Sequence, residues 1–235
     1  MKTFSYKFFI LFFLFLGCRA PEEEDFLDDE ILISLNEART QEMEDKKKTL
    51  AQIQKKLQNF QDDSLKKEIY LDLSYEYLMT DDSLKFREIN HKATALSRKL
   101  NDSEGLASAY WDLAEFYYKN NHMDSAYHFW NQTQKLYTIL GNEYRAARVL
   151  LNMAIVQKNI KDYTGSEVTT FQAISVLNPL NKYKYLYQAY NNLGFIYEEL
   201  EEYEKSFLYY KTAEEFIDKA DMEYLYPSLW NNIGL

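Results

Sequence analysis

Five polar side chains stand at a forty-residue interval: Asp72, Asp112, Asn152, Asn192 and Asn232. Three are carboxamides, each offering the donor and acceptor that a peptide group demands, and two are carboxylates, which only accept when ionised. This is chemistry for recognition rather than for bond making. His91, His122 and His128 give no metal-ligand pair at helical spacing, since 122 and 128 fall on different faces. A glycine-rich phosphate loop, a serine elbow and a cysteine–histidine arrangement are all missing from the sequence. The acid pairs Asp28-Asp29, Asp62-Asp63 and Asp81-Asp82 sit where linkers and helix caps want them, and the run Glu198 to Glu204 reads as a solvated helix end. No cofactor, no metal and no enzymatic activity are expected.

The element that must position these groups shows in the residues beside them. Ser74, Ala114, Ala154, Gly194 and Gly234 form a column of small residues at the same interval. Four positions before them lie Tyr70, Tyr110, Leu150, Tyr190 and Trp230, one before lie Leu73, Leu113, Met153, Leu193 and Ile233, and three after lie Tyr77, Tyr117, Gln157 and Tyr197. Offsets of three and four gather all these columns on one face of a helix. A second helix has its own columns: Phe86, Ala126, Ser166 and Ser206; Asn90, Trp130, Thr170 and Tyr210; Ala93, Thr133, Ala173 and Ala213. Short polar breaks such as Asn120-Asn121-His122 separate the two, so each forty-residue unit is a helical hairpin. With only 3 prolines and 6 glycines in 235 residues, little punctuation is left for strands. Upstream, Leu50, Ile53, Leu57 and Phe60 make an apolar stripe in register with the second-helix columns, which suggests a capping half-repeat.

The segments Tyr110-x-x-Leu113-Ala114-x-x-Tyr117 with Ala126-x-x-x-Trp130, and Tyr190-x-x-Leu193-Gly194-x-x-Tyr197 with Ser206-x-x-x-Tyr210, resemble the tetratricopeptide repeat. Asp162-Tyr163 and Glu202-Tyr203 fall where such repeats place an acidic–aromatic pair at the start of the second helix. The interval exceeds the family's usual spacing and implies longer helices; HEAT repeats share a period near forty but carry a different signature. The resemblance implies an all-α, α-α superhelix whose concave groove takes a protein or peptide ligand, with asparagines of the first helix bonding an extended peptide's backbone. By that analogy Asn152, Asn192, Asn232 and Asp112 line the groove, with Asn191 and Arg148 beside them. The alternative for each is a hydrogen bond within the repeat or to water. Neighbouring first-helix positions grade from Trp111, Glu115 and Tyr118 through Arg148, Leu151, Ile155 and Lys158 to Gln188, Asn191, Phe195 and Glu198, a change of character that would select a ligand by side chain.

The first stretch is of a different kind. Lys2 and Lys7 precede the apolar run Phe8 to Leu16, too short to span a bilayer, and Gly17-Cys18 follows: the pattern of a secretory signal. Leu14-Phe15-Leu16-Gly17-Cys18 resembles a bacterial lipobox, which implies acylation of Cys18 and a membrane-tethered mature chain. An ordinary secretory signal with an incidental cysteine is the alternative. Cys18 is the only cysteine, so an intramolecular disulfide is ruled out. Removing residues 1–17 takes two lysines and no acid, shifting the formal charge from −10 to −12, a balance that argues against nucleic acid in this segment. Much of the excess acid lies in Glu22 to Glu30, read as a disordered tether.

The expected organisation is a signal peptide at 1–17, an acidic linker at 18–30, capping helices at 31–65, and repeats at about 66–105, 106–145, 146–185, 186–225 and 226–235. The last is half a hairpin, which suggests a truncated sequence. Two functions of different class fit: a non-enzymatic, lipid-anchored scaffold at the cell envelope that binds a protein or peptide, and the sensory ectodomain of a longer signalling protein such as a histidine kinase or transcriptional regulator.

Overall fold

Every helix from residue 64 to residue 219 stops at a residue in the left-handed backbone region, and these residues recur every twentieth position: Asp81, Asn101, Asn121, Gly141, Lys161, Asn181, Glu201 and Asp221, with φ between +51° and +68°. The left-handed residue turns the chain so that the next amide bonds back into the finished helix. The N–H of His122 donates to the Tyr117 carbonyl at 2.8 Å and that of Glu202 to the Tyr197 carbonyl at 2.8 Å. The forty-residue period therefore contains a twenty-residue one, a helix plus a three-residue turn used twice.

The structure is a computed structural model, and it describes residues 23–234, with side chains from residue 30 onward. Residues 1–22, with Cys18 and the signal segment, lie outside the described residues, as do the side chains of 23–29. All the regular elements described are helices. The chain divides into two compact units, Met1–Asn59 and Phe60–Leu235.

In the first unit, α1 (Glu23–Ala38) pairs with α2 (Met43–Lys56), and a 3-10 turn at Leu57–Asn59 closes it. Ile31, Leu35, Ala38, Leu50, Ile53 and Leu57 are buried, and Lys56 reaches Glu30 at 2.6 Å. This corrects the expectation of a disordered tether up to residue 30, because α1 already includes residues 23–30. Acidic residues in a helix's first turns are favoured by the N-terminal dipole, and Ile31, Leu35 and Ala38 share the buried face that holds the helix.

The second unit is a row of hairpins: α3 (Ser64–Met79) with α4 (Ser83–Lys99), α5 (Ser103–Lys119) with α6 (Met123–Ile139), α7 (Glu143–Asn159) with α8 (Tyr163–Leu177), and α9 (Tyr183–Glu199) with α10 (Tyr203–Lys219). A short α11 (Tyr226–Ile233) packs on α10. Consecutive hairpins pack in order, and first helices also meet directly, α3 on α5 and α7 on α9. The polar breaks act as caps: the side chains of Asp63, Asp82, Asp102, Asn142 and Asp162 accept from backbone amides three residues on, at 2.9–3.1 Å.

All twelve second-helix column residues are 5% exposed or less. In the small column Ser74, Ala114, Ala154 and Gly194 are buried. Gly194 shows what the column is for, since a β-carbon there would lie 2.4 Å from Tyr210 Cδ1 of the paired helix. Tyr210 is 1% exposed, and burying such a ring contributes about 1.5–3 kcal/mol. The serines opposite add a second fastening, as Ser166 Oγ donates to the Ala154 carbonyl at 2.7 Å and Ser206 Oγ to the Gly194 carbonyl at 2.8 Å. Gly234 departs from the column. It is exposed, with φ +81° and nothing within 4 Å of a β-carbon, and it caps α11 in the left-handed form rather than packing.

Candidate functional site

The first helices α5, α7 and α9 present a wall of side chains that join one helix to the next through rings and cations. Arg148 on α7 is the centre of it. Its guanidinium carbon lies 5.3 Å from the Trp111 ring centre on α5, 5.0 Å from that of Tyr185 on α9 and 5.7 Å from that of Tyr144 on its own helix. Tyr144 and Tyr185 meet edge to face at 5.7 Å. Burial, and next the hydrogen bond that the Tyr144 hydroxyl shares with Tyr185, hold the Tyr144 phenol above its ordinary pKa, with Arg148 opposing. Further along, Lys158 Nζ sits 4.2 Å from the centre of the Phe195 ring, and Asn159 Nδ2 donates to the Tyr118 hydroxyl at 3.2 Å. Burial lowers the Lys158 pKa, with Glu199 opposing. Leu151 is buried, while Ile155, Phe195 and Trp111 keep part of their surface open.

The predicted polar ladder splits into two kinds of residue. Asp112 and Asn192 are turned into the structure at 7% and 5% exposure. Asp112 accepts from Ser74 Oγ at 2.8 Å, and Ser74 Oγ accepts from Asn90 Nδ2 at 3.0 Å, which ties α5 to the first hairpin. Burial raises the Asp112 carboxyl to about 7, with the Ser74 hydrogen bond opposing and Glu115 and Asp72 adding to the rise. Asn192 Nδ2 donates to Ser166 Oγ at 3.1 Å and to Thr170 Oγ1 at 3.0 Å. These two side chains are thus corrected from ligand-facing groups to fastenings between repeats, because a buried amide or carboxyl takes the partner that packing supplies. Asn152 and Asn232 stay half-exposed. Asn152 makes no side-chain hydrogen bond among the described residues, whereas Asn232 Nδ2 donates to Asn191 Oδ1 at 3.1 Å. The open part of the wall is therefore Trp111, Arg148, Asn152, Ile155, Asn191 and Phe195 rather than a continuous ladder.

Several contributors were not singled out from the sequence. Ser108, Tyr137 and Arg145 wall a cavity of about 240 Å³ with Trp111, Asp112 and Arg148. Tyr144 and Tyr185 stand forty-one residues apart, one off the repeat interval, so no column contained both. Among the described residues no group of three or more His, Cys, Asp or Glu side chains is placed to hold a metal ion, and no helix is long and apolar enough to cross a membrane.

No family model and no curated protein matches the sequence. Solved structures do match its fold. A signal-transduction ATPase with numerous domains and a tetratricopeptide repeat sensor from Pyrococcus horikoshii superposes with a TM-score of 0.72 at 18% identity, over 86% of this chain and 30% of that one. The apo form of RapI gives 0.73 at 15% identity over 82% of this chain and 72% of that one. Aspartyl phosphate phosphatase F from Bacillus subtilis gives 0.75 at 16% identity over 85% and 52%. The chain thus spans under a third of the first of these proteins and about half of the last. Identities this low speak to fold alone, and the fold they share with this chain is the tetratricopeptide-type α-α superhelix.

Proposed function

We propose that the chain is a non-enzymatic scaffold that binds a protein or peptide along the first-helix wall of α5, α7 and α9. The observation that carries this reading is the make-up of the wall. Side chains of Trp111, Ile155 and Phe195 stay partly open beside the unbonded carboxamide of Asn152, on helices whose other faces are packed. Apolar anchors beside a free donor–acceptor pair suit an extended peptide. Few anchors give modest affinity, about −8 kcal/mol at micromolar Kd.

The test is selection of random peptides on the full chain, followed by titration of the winners against Asn152→Ala and Phe195→Ala. Loss of tenfold or more in affinity supports the wall as the binding face. Winners that bind both variants as well as the parent overturn it.

Tethering to a bacterial envelope belongs to the same proposal and rests on Gly17-Cys18 after the apolar run. Metabolic labelling with an alkyne-bearing fatty acid tests it: label incorporated by the parent and lost in Cys18→Ser supports the anchor, and equal labelling of both, or of neither, refutes it. A second reading, the sensory part of a longer signalling protein, draws support from the fraction of the Pyrococcus ATPase that the chain spans. The coding frame after Leu235 separates the two.

A further inference from the structure

In a chain of net charge −10, the first hairpin sets three lysines against one acid around a cavity of about 270 Å³ between α3 and α4. Lys66, Lys92 and Lys99 line it with Asp62, and none of them belongs to the wall of α5, α7 and α9. Lys66 is 7% exposed, a depth at which a lysine needs partners, and its ammonium donates to the Phe60 carbonyl at 2.9 Å and to Asp62 Oδ1 at 3.0 Å. Lys99 takes the other oxygen of that carboxylate at 2.8 Å. Lys99, and after it Lys66, hold the Asp62 carboxyl down at about 2. Glu88 is shared in the same way, by Lys92 at 2.7 Å and Lys85 at 3.1 Å. Four lysines thus divide two carboxylates, and the local charge stays positive. An ammonium has three donors. Lys66 spends two of them on protein acceptors, Lys92 and Lys99 one each, so all three keep N–H groups for a guest. Lys66 and Lys92 each stand 6.0 Å from the centre of the buried Tyr70 ring, which brings the cation of α3 and that of α4 to one place.

We propose that this cavity is a binding site for a phosphate group. Three point charges converging from two helices suit a tetrahedral dianion, whose oxygens can each face a different ammonium. A carboxylate has two oxygens in one plane and is matched best by a guanidinium fork, and the lining holds no arginine. The cavity falls just below the size of pockets that take drug-sized ligands, about 300 Å³ and upward, so it fits the phosphate with the first atoms of its ester rather than a whole nucleotide. Because the chain as a whole repels anions, the attraction is local, acting within the Debye length of about 8 Å at physiological salt. Free phosphate and the phosphate of a lipid headgroup share this chemistry.

The test reads the methyl signals of Ala95 and Leu96, which also line the cavity. The full chain, labelled with carbon-13 at its methyl groups, is titrated at pH 7.5 and constant ionic strength with inorganic phosphate, with glycerol 1-phosphate, with dihexanoyl phosphatidic acid below its micelle concentration, and with acetate. Saturable movement of both signals, at least fivefold tighter for a phosphate-bearing probe than for acetate, supports the proposal. A further fivefold gain for the phosphatidic acid over glycerol 1-phosphate supports it with a lipid headgroup as the source, and equal affinity of the two supports it with a free phosphate. No saturable movement, or acetate bound as tightly as the phosphates, overturns it. Lys92→Gln with Lys99→Gln, at side chains 38% and 62% exposed, is expected to weaken phosphate binding tenfold or more. Lys119→Gln with Lys135→Gln, the same change of charge at exposed positions outside the cavity, is expected to leave it within twofold. Equal weakening by the two pairs would make the attraction a matter of net charge and overturn the site. Should the first pair fail to fold, the comparison of probes on the parent chain still decides.

Discussion

The first hairpin, α3 with α4, and the fourth, α9 with α10, fill the same repeat offsets with different chemistry. In the fourth, Gly194 leaves a hollow that the Tyr210 ring occupies, and Tyr190 and Tyr197 stack on Tyr209 nearby at 6.4 and 5.2 Å. In the first, Ser74 and Asn90 occupy those two positions and bond to each other, and Ser74 passes a hydrogen bond on to Asp112 of the next hairpin. One junction is closed by shape, the other by a buried polar chain. Shape complementarity is insensitive to pH but intolerant of volume, whereas a buried acid is tolerant of volume and sensitive to pH.

The largest effect that holds at every pH is steric. Gly194→Leu must push Tyr210 out of its seat and is expected to cost about 3 kcal/mol, the upper end of ordinary overpacking, read as a lowered urea midpoint. An unchanged midpoint would remove the hollow from the account. Next comes the acid. Because the folded-state pKa of Asp112 is raised from its ordinary 3.8 to about 7, the folded form holds the proton more tightly than the unfolded one. Its neutral form carries no penalty below about pH 4, and stability drains away as pH rises towards and through 7. Asp112→Asn should therefore raise stability by up to about 4 kcal/mol at pH 8, change little at pH 4, and flatten the slope between. A variant that is less stable at pH 8 than at pH 4 by the same margin as the parent would show that Asp112 is not the source.

Smaller effects sharpen the same contrast. Tyr210→Phe keeps the ring in the hollow but loses the hydroxyl's bond to Glu198 at 2.8 Å, worth about 1 kcal/mol. Burial, and after it this bond to Glu198, also raises the Tyr210 phenol's pKa, so the tyrosine stays neutral across the accessible range. At the turns, Glu201 at φ +59° and Asp81 at φ +56° do the same job in the two hairpins. Aspartate tolerates the left-handed region better than glutamate, so Glu201→Gly should stabilise by up to about 1 kcal/mol and Asp81→Gly by less, measured as paired shifts in thermal midpoint. Equal shifts would mean the turns are alike in strain.

How much of this was written in the sequence follows from what repeats. The columns of Ala114 and Trp130, or Gly194 and Tyr210, are periodic because each hairpin must meet the next in the same way, and packing of that kind is visible as spacing. The twenty-residue rhythm of left-handed turns was harder to see, since only Gly141 among the eight is a glycine. Asn101, Asn121 and Asn181, with Asp81 and Asp221, were the available signal, as these are the residue types that enter that region most readily after glycine. The wall was half legible. Trp111 and Arg148 stood at first-helix positions, but Tyr144 and Tyr185 join them one residue off the interval, by a contact between neighbouring helices that no column records. Asp112 and Asn192 share a column with Asn152, yet burial depends on which partner the adjacent hairpin supplies: Ser74 for Asp112, and Ser166 with Thr170 for Asn192.

The most direct test of the central claim is hydrogen–deuterium exchange on the full chain, with and without a saturating selected peptide. The account predicts slowed exchange along α5, α7 and α9, strongest around Trp111, Arg148 and Asn152, with α4, α6 and α8 unchanged. Protection confined to α4, α6 and α8, or none anywhere at saturation, would contradict it.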